Sequence, residues 1–343
     1  MKYSLKNLSV GSILFSTLVS YSTNVEANAP TPSLPSHMAS QTLLTDVTKV
    51  NDKLFAVGER GHVIYSQDAE SWQQANVPVN VLLTSIKFVN NKLGFITGHD
   101  ATLLKTIDGG MNWQIVNYQP ELDKPLLDIA VSGEQIVAVG AYGLYWQSQD
   151  GGANWSAEFQ DELLIEDDRL FLEEIKEYEP ENYEKEKQFL LPHFNNVYMG
   201  LDTWFIAGEA GMLAKSQNKG KDWQLIETDY FGSYFSISKF TENKLLLAGL
   251  RGNTFVSADA ANWQAIDMPA PATINNLLNV NNGTYLFANS GNMFFVDSNQ
   301  NVSHTLLPDG KAVMAGAELN GQLVLATESG IKTMPLSATI KQQ

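Results

Sequence analysis

The sequence predicts an all-β chain, a seven-bladed β-propeller of four-stranded antiparallel blades with an acidic, helical insertion between blades 3 and 4. Three observations predict it. The string Thr106-Ile-Asp-Gly-Gly-Met-Asn-Trp113 returns as Ser148-Gln-Asp-Gly-Gly-Ala-Asn-Trp155 and Ser216-Gln-Asn-Lys-Gly-Lys-Asp-Trp223, with shorter copies at Ser66-Gln-Asp-Ala-Glu-Ser-Trp72 and Ser257-Ala-Asp-Ala-Ala-Asn-Trp263. A second signature, a strand ending in Gly-x-x-Gly or a variant of it, closes at positions 61, 101, 143, 211, 252, 291 and 330. These closing positions lie 39 to 42 residues apart except for one interval of 68. A period near 40 with four short strands per unit is that of a propeller blade, and seven such units close into a ring without free sheet edges.

Residues 1–27 read as a secretory signal, with Lys2 and Lys6 ahead of an apolar stretch and small residues at Val25-Glu-Ala27. Residues 28–35, with Pro30, Pro32 and Pro35, read as a flexible lead-in, and residues 36–343 as one propeller domain. Each unit is an alternating strand, a turn, a strand ending in Gly-x-x-Gly, a third strand, the Asp-containing turn and a strand opening with Trp. Units six and seven have lost the Asp turn and its Trp. The seventh has little chain left for a fourth strand, so residues 36–43 are expected to supply it. The long interval holds residues 158–191, with thirteen acidic residues against four basic ones and Leu163, Leu164, Leu170, Phe171, Ile175 and Tyr178 at partly helical spacing. Pro180 ends it.

The formal net charge of the 343 residues is -16, and removal of Lys2, Lys6 and Glu26 with the signal makes it -17. Such a charge repels phosphate backbones and anionic headgroups, which argues against nucleic-acid binding, and no apolar run beyond the N-terminus is long enough to insert into a membrane. There is no cysteine, hence no thiolate nucleophile, no thiolate metal site and no lipid-modified cysteine. The five histidines, His37, His62, His99, His193 and His304, show no metal-ligand spacing. Neither a cofactor nor a metal is expected.

The repeated Asp and Ser suit tight turns, Gly supplies left-handed backbone, and Trp buries a large ring between sheets. These residues therefore read as scaffold. In a four-stranded meander the turns between second and third strands share a face with the links between blades, and the insertion sits in one such link. That face carries Glu59, Arg60, His99, Asp100, Tyr142, Glu209, Arg251, Asn289 and Glu328, whose identities vary from blade to blade, as expected of a recognition surface. Tyr230, Phe231, Tyr234 and Phe235 flank a blade link and are further contact candidates.

These motifs resemble the BNR or Asp-box superfamily, and more closely the propellers related to the photosystem II assembly and stability factor. Ala56-Val-Gly-Glu-Arg-Gly-His-Val-Ile-Tyr-Ser66 and Leu191-Pro-His-Phe-Asn-Asn-Val197 carry the resemblance. It implies an exported, periplasmic, monomeric and non-catalytic propeller that binds a protein partner and assists a membrane or envelope complex such as an exporter. Arg60 and Arg251 match basic positions of that family's recognition face. Asp boxes also occur in sialidases, so a glycoside hydrolase is the alternative. A sialidase needs three arginines converging on a carboxylate, and this chain has only Arg60, Arg169 and Arg251, in separate units. A two-carboxylate glycosidase would draw on Glu59, Asp100, Glu209 and Glu328.

Overall fold

The computed structural model describes residues 30–336, so the expected signal segment lies outside the described residues. Seven antiparallel sheets follow one another, each with its strands in sequence order, six of four strands and one of three. Their first strands are Leu44–Val50, Leu83–Phe88, Leu126–Ser132, Phe194–Met199, Tyr234–Thr241, Ile274–Val280 and Val313–Leu319. Each packs beside the next and the last beside the first, forming the innermost ring.

The second strands are apolar on both faces because a blade is covered on both sides. Gly94–Gly98 and Trp204–Gly208 are buried at every position. The core accordingly divides into seven clusters, one per seam. Phe55 and Val57 of blade 1 meet Ile86 and Ile96 of blade 2, and Tyr285 and Phe287 of blade 6 meet Leu323 and Leu325 of blade 7. The ring closes the same way, with Leu44, Leu54 and Ile64 packed on Ala317, Leu319 and Val324. Outermost strands are short, two residues at Gln73–Gln74, Ser156–Ala157 and Gln224–Leu225, which limits the edge open to stray pairing.

The Asp turns are scaffold in structure as well. Asp150 Oδ1 accepts the backbone N–H groups of Ala153 and Asn154 at 3.0 and 2.9 Å, and Ser148 Oγ accepts that of Gly152 at 2.8 Å. These donors hold the Asp150 carboxyl down at about 2. Gly152, at φ +79°, lies so close to the preceding blade that a Cβ there would stand 2.2 Å from the Phe95 ring. Trp155 meets the same ring edge-on at 5.6 Å, as Trp223 meets Tyr145 of blade 3 at 6.1 Å.

Three expectations are corrected. Among the described residues the seventh sheet has three strands, and the segment expected to complete it instead makes a single 3-10 turn, Ala39–Gln41, against the strand Gly330–Pro335. The lead-in is tied down from Ser33, whose N–H donates to Val77 O at 3.0 Å and whose hydroxyl donates to Arg60 O at 2.8 Å. Blade 6 keeps an Asp turn without its Trp. Asp297 Oδ1 accepts from the N–H groups of Asn299 and Asn301 at 2.8 and 2.9 Å.

The insertion folds as helix α1, Glu166–Tyr178, and helix α2, Tyr183–Glu186, with flanking 3-10 turns. It clamps the outer rim of the seam between blades 3 and 4. Leu163, Leu164 and Leu172 are buried with Tyr145, Trp204 and Trp223, and Glu162 accepts the backbone N–H of Trp223 at the Asp-turn end of blade 4. Only Leu172 of α1 is buried; Leu170, Phe171 and Tyr178 remain exposed. Among the described residues no helix is long and apolar enough to cross a membrane.

Candidate protein-binding face

Backbone hydrogen bonds join the Gly-x-x-Gly turns to the blade links, which puts both on one face. Gly61 N–H donates to Val81 O at 2.8 Å, Ala101 to Lys124 O at 2.7 Å, Gly143 to Pro192 O at 3.0 Å and Gly211 to Gly232 O at 2.8 Å. Within these turns the tip residue is left-handed and is not glycine. The φ angles are 58° at Arg60, 58° at Asp100, 53° at Tyr142, 53° at Ala210, 56° at Arg251 and 54° at Ser290. Each costs roughly 1–2 kcal/mol relative to glycine, which takes this backbone without penalty. Arg60 and Arg251 are exposed at their tips.

The nine candidate residues do not behave alike. Arg60, His99 and Arg251 are exposed, while Glu59 and Asp100 are half-buried. Tyr142 keeps 40% of its surface open but anchors the returning end of the insertion, its ring edge-on to Phe189 at 5.3 Å and to His193 at 4.6 Å. Glu209 pairs with His193 Nδ1 at 3.4 Å. Asn289 Oδ1 accepts the N–H of Thr273 at 3.0 Å, bracing a blade link. Glu328 accepts from the Ala312 N–H at 3.3 Å and pairs with Lys311 at 3.2 Å, and these two contacts hold its carboxyl below the usual carboxylate range. Among the blade-link aromatics, Tyr234 is core with 1% exposure, whereas Phe231 is 85% exposed.

Sequence reasoning missed Lys124. Its ammonium is buried, 4.4 Å from the Phe189 ring centre and 5.1 Å from that of Tyr142, and it donates to Gln188 O. Burial pushes its pKa down. A lone lysine in a loop between Asp123 and Pro125 gives no sequence signal for this.

The channel mouth on the same face is a polar cavity of about 190 Å³. Asp46 Oδ2 accepts from Lys87 Nζ at 3.2 Å, from Ser85 Oγ at 3.1 Å and from the Ile86 N–H at 2.9 Å. Ser85 Oγ also lies 2.9 Å from Asp128 Oδ1, so its single proton is shared between the two carboxylates, and Asp128 accepts from the N–H of Val197 at 3.1 Å. Burial lowers the Lys87 pKa, but the Asp46 and Asp128 carboxylates outweigh it and hold the ammonium above the ordinary lysine value. Burial raises Asp128, and Lys87 only partly opposes it. Every member bridges neighbouring blades, so the network reads as ring stitching. Among the described residues no group of three or more His, Asp or Glu is arranged to hold a metal ion.

Together these features define a seven-bladed propeller with a side-chain-bearing turn face and an appended acidic clamp. A family model described as photosynthesis system II assembly factor YCF48 matches residues 64–169. The photosystem II assembly lipoprotein Ycf48 of Synechococcus sp. is 22% identical over 188 residues, 54% of this chain and 49% of that protein. Its namesake in Trichormus variabilis is 23% identical over 257 residues, 56% of this chain and 76% of that protein. The chain thus spans about half the length of the first of these relatives. A solved structure of YCF48 bound to D1 peptide superposes with a TM-score of 0.64 at 15% identity, over 86% of this chain and 94% of that one. The chain is a β-propeller whose sequence is similar to photosystem II assembly factors over part of its length.

Proposed function

We propose that this chain is an exported, monomeric, non-catalytic assembly or stability factor that holds a protein client against its turn face. The client is a membrane or envelope complex. The observation that carries the reading is the set of left-handed tips bearing Arg60, Asp100, Tyr142 and Arg251. Ala210 and Ser290 show that this backbone accepts a small side chain at a conformational cost, so it is the long or charged groups kept at the other four tips that point to use of the side chain. The assembly-factor relatives, and the similar propeller solved with a D1 peptide, support a protein as the ligand. The engagement of Glu209 with His193 and of Glu328 with Lys311 leaves the hydrolase alternative with fewer free carboxylates.

The test is co-purification of the tagged protein from detergent-solubilised envelope of its own host, comparing wild type with Arg60→Glu and Arg251→Glu. A discrete membrane protein recovered with wild type and lost with both variants is the expected outcome. Recovery indifferent to both substitutions removes the turn face from the reading.

A further inference from the structure

Above blade 4 a cleft of about 1200 Å³ runs along the outer rim from the turn face toward the Asp-turn edge. One wall is the insertion, through Ile165 and Asp168; the other is the link from blade 4 to blade 5, through Glu227, Asp229 and Phe231. The cleft is larger than the roughly 300–1,000 Å³ of most small-ligand sites. Its surface is mixed, and three apolar side chains stand open on it, Phe231 85%, Ile165 60% and Leu225 39% exposed, none of them belonging to a buried cluster. Asp168, Glu209, Glu227 and Asp229 line it, whereas no lysine or arginine does.

We infer that this cleft is a docking groove for an extended segment of a partner protein in which basic side chains alternate with apolar ones. Apolar side chains would seat against Ile165, Leu225 and Phe231, and ammonium or guanidinium groups would face Glu227, Asp229 and Asp168. The insertion supplies one wall, and its thirteen acidic residues against four basic ones extend the attraction beyond the groove. A second copy of this chain carries the same formal charge of -16 and is repelled. The inference rests on the protein-binding reading above but uses a different surface from the arginine-bearing tips.

The probe is a short fluorescent peptide alternating lysine and leucine, with lysine–serine and glutamate–leucine peptides of equal length as controls, titrated by anisotropy against the full chain. The lysine–leucine peptide is expected to bind about tenfold more tightly than either control. Phe231→Ser combined with Ile165→Ser should weaken it about tenfold, and Glu227→Gln combined with Asp229→Asn should weaken it and flatten its salt dependence. Glu173→Gln with Glu174→Gln, exposed on α1 and not lining the cleft, should weaken it by no more than about twofold through the lost long-range attraction, and Arg60→Glu should leave it unchanged. Equal binding of the lysine–serine peptide, or wild-type affinity in the Phe231 and Ile165 variant, overturns the inference. So does a dimer in sedimentation that Phe231→Ser dissociates, which would assign the cleft to a second copy. Loss of lysine–leucine binding by Arg60→Glu would relocate the site to the turn face, so the two readings fail separately.

Discussion

At the scale of single residues, the left-handed tips separate folding from function. Arg60 and Arg251 sit at φ 58° and 56°, where replacement by glycine relieves roughly 1–2 kcal/mol of backbone strain each. Glycine also gains about 0.5–1 kcal/mol of freedom in the unfolded chain, so the two effects nearly cancel. Arg60→Gly and Arg251→Gly should therefore leave the thermal midpoint unchanged or slightly raised while client recovery falls, as scanning fluorimetry and co-purification would read. A clear drop in the midpoint would mean that these side chains serve the fold. The Asp-turn carboxylates behave oppositely. Those of Asp68 and Asp150 are depressed to about 2 from the ordinary 3.8, chiefly by backbone N–H groups. A depressed folded-state pKa gives stability that is present above the unfolded value and lost as pH falls through the folded one. Acid unfolding is thus expected to deepen between about pH 4 and pH 2, and Asp150→Asn should flatten that part of the profile.

Elements show which parts of the molecule local sequence specifies. The blades were legible because three seams repeat one arrangement, an Asp-turn glycine packed on the preceding blade's aromatic: Gly110 on Phe55, Gly152 on Phe95 and Gly220 on Tyr145. The insertion was legible only as acidic and helical, because its seat depends on partners distant in sequence. Lys124 reaches Gln188 and the Phe189 ring, and Glu162 reaches Trp223. Leu172, its one buried α1 residue, was no more conspicuous in sequence than the exposed Leu170 and Phe171. A cation held against two aromatic rings contributes up to about 2 kcal/mol when desolvated. Lys124→Ala should accordingly speed amide exchange roughly thirtyfold in residues 179–193 and leave the blade strands protected. Uniform loss of protection would show instead that the insertion and ring unfold as one unit.

For the whole molecule the question is what closes the ring, since the sequence pointed to a strand from residues 36–43 and the structure uses packing. Blade 7 joins blade 1 through Ala315, Ala317, Leu319 and Val324 against Leu44, Leu54 and Ile64, with the 3-10 turn at Ala39–Gln41 seated beside Gly330. Small residues on the blade 7 side let the two sheets approach closely, which an alternation pattern does not reveal. The seat is tight. At Gly330, φ +99°, a Cβ would stand 2.2 Å from Ser40 O and 2.5 Å from Gln41 Cα. Gly133, φ +64°, offers a control, because a Cβ there meets nothing within 4 Å. Both alanines carry backbone strain of roughly 1–3 kcal/mol, but only Gly330→Ala must also displace the segment that covers the closing seam. Its thermal midpoint should fall at least about 4 °C further than that of Gly133→Ala, and exchange protection should drop first in the strands Leu44–Val50 and Val313–Leu319. Equal midpoints for the two variants would mean that the apolar seam alone holds the ring shut and that the 3-10 turn merely rests on it.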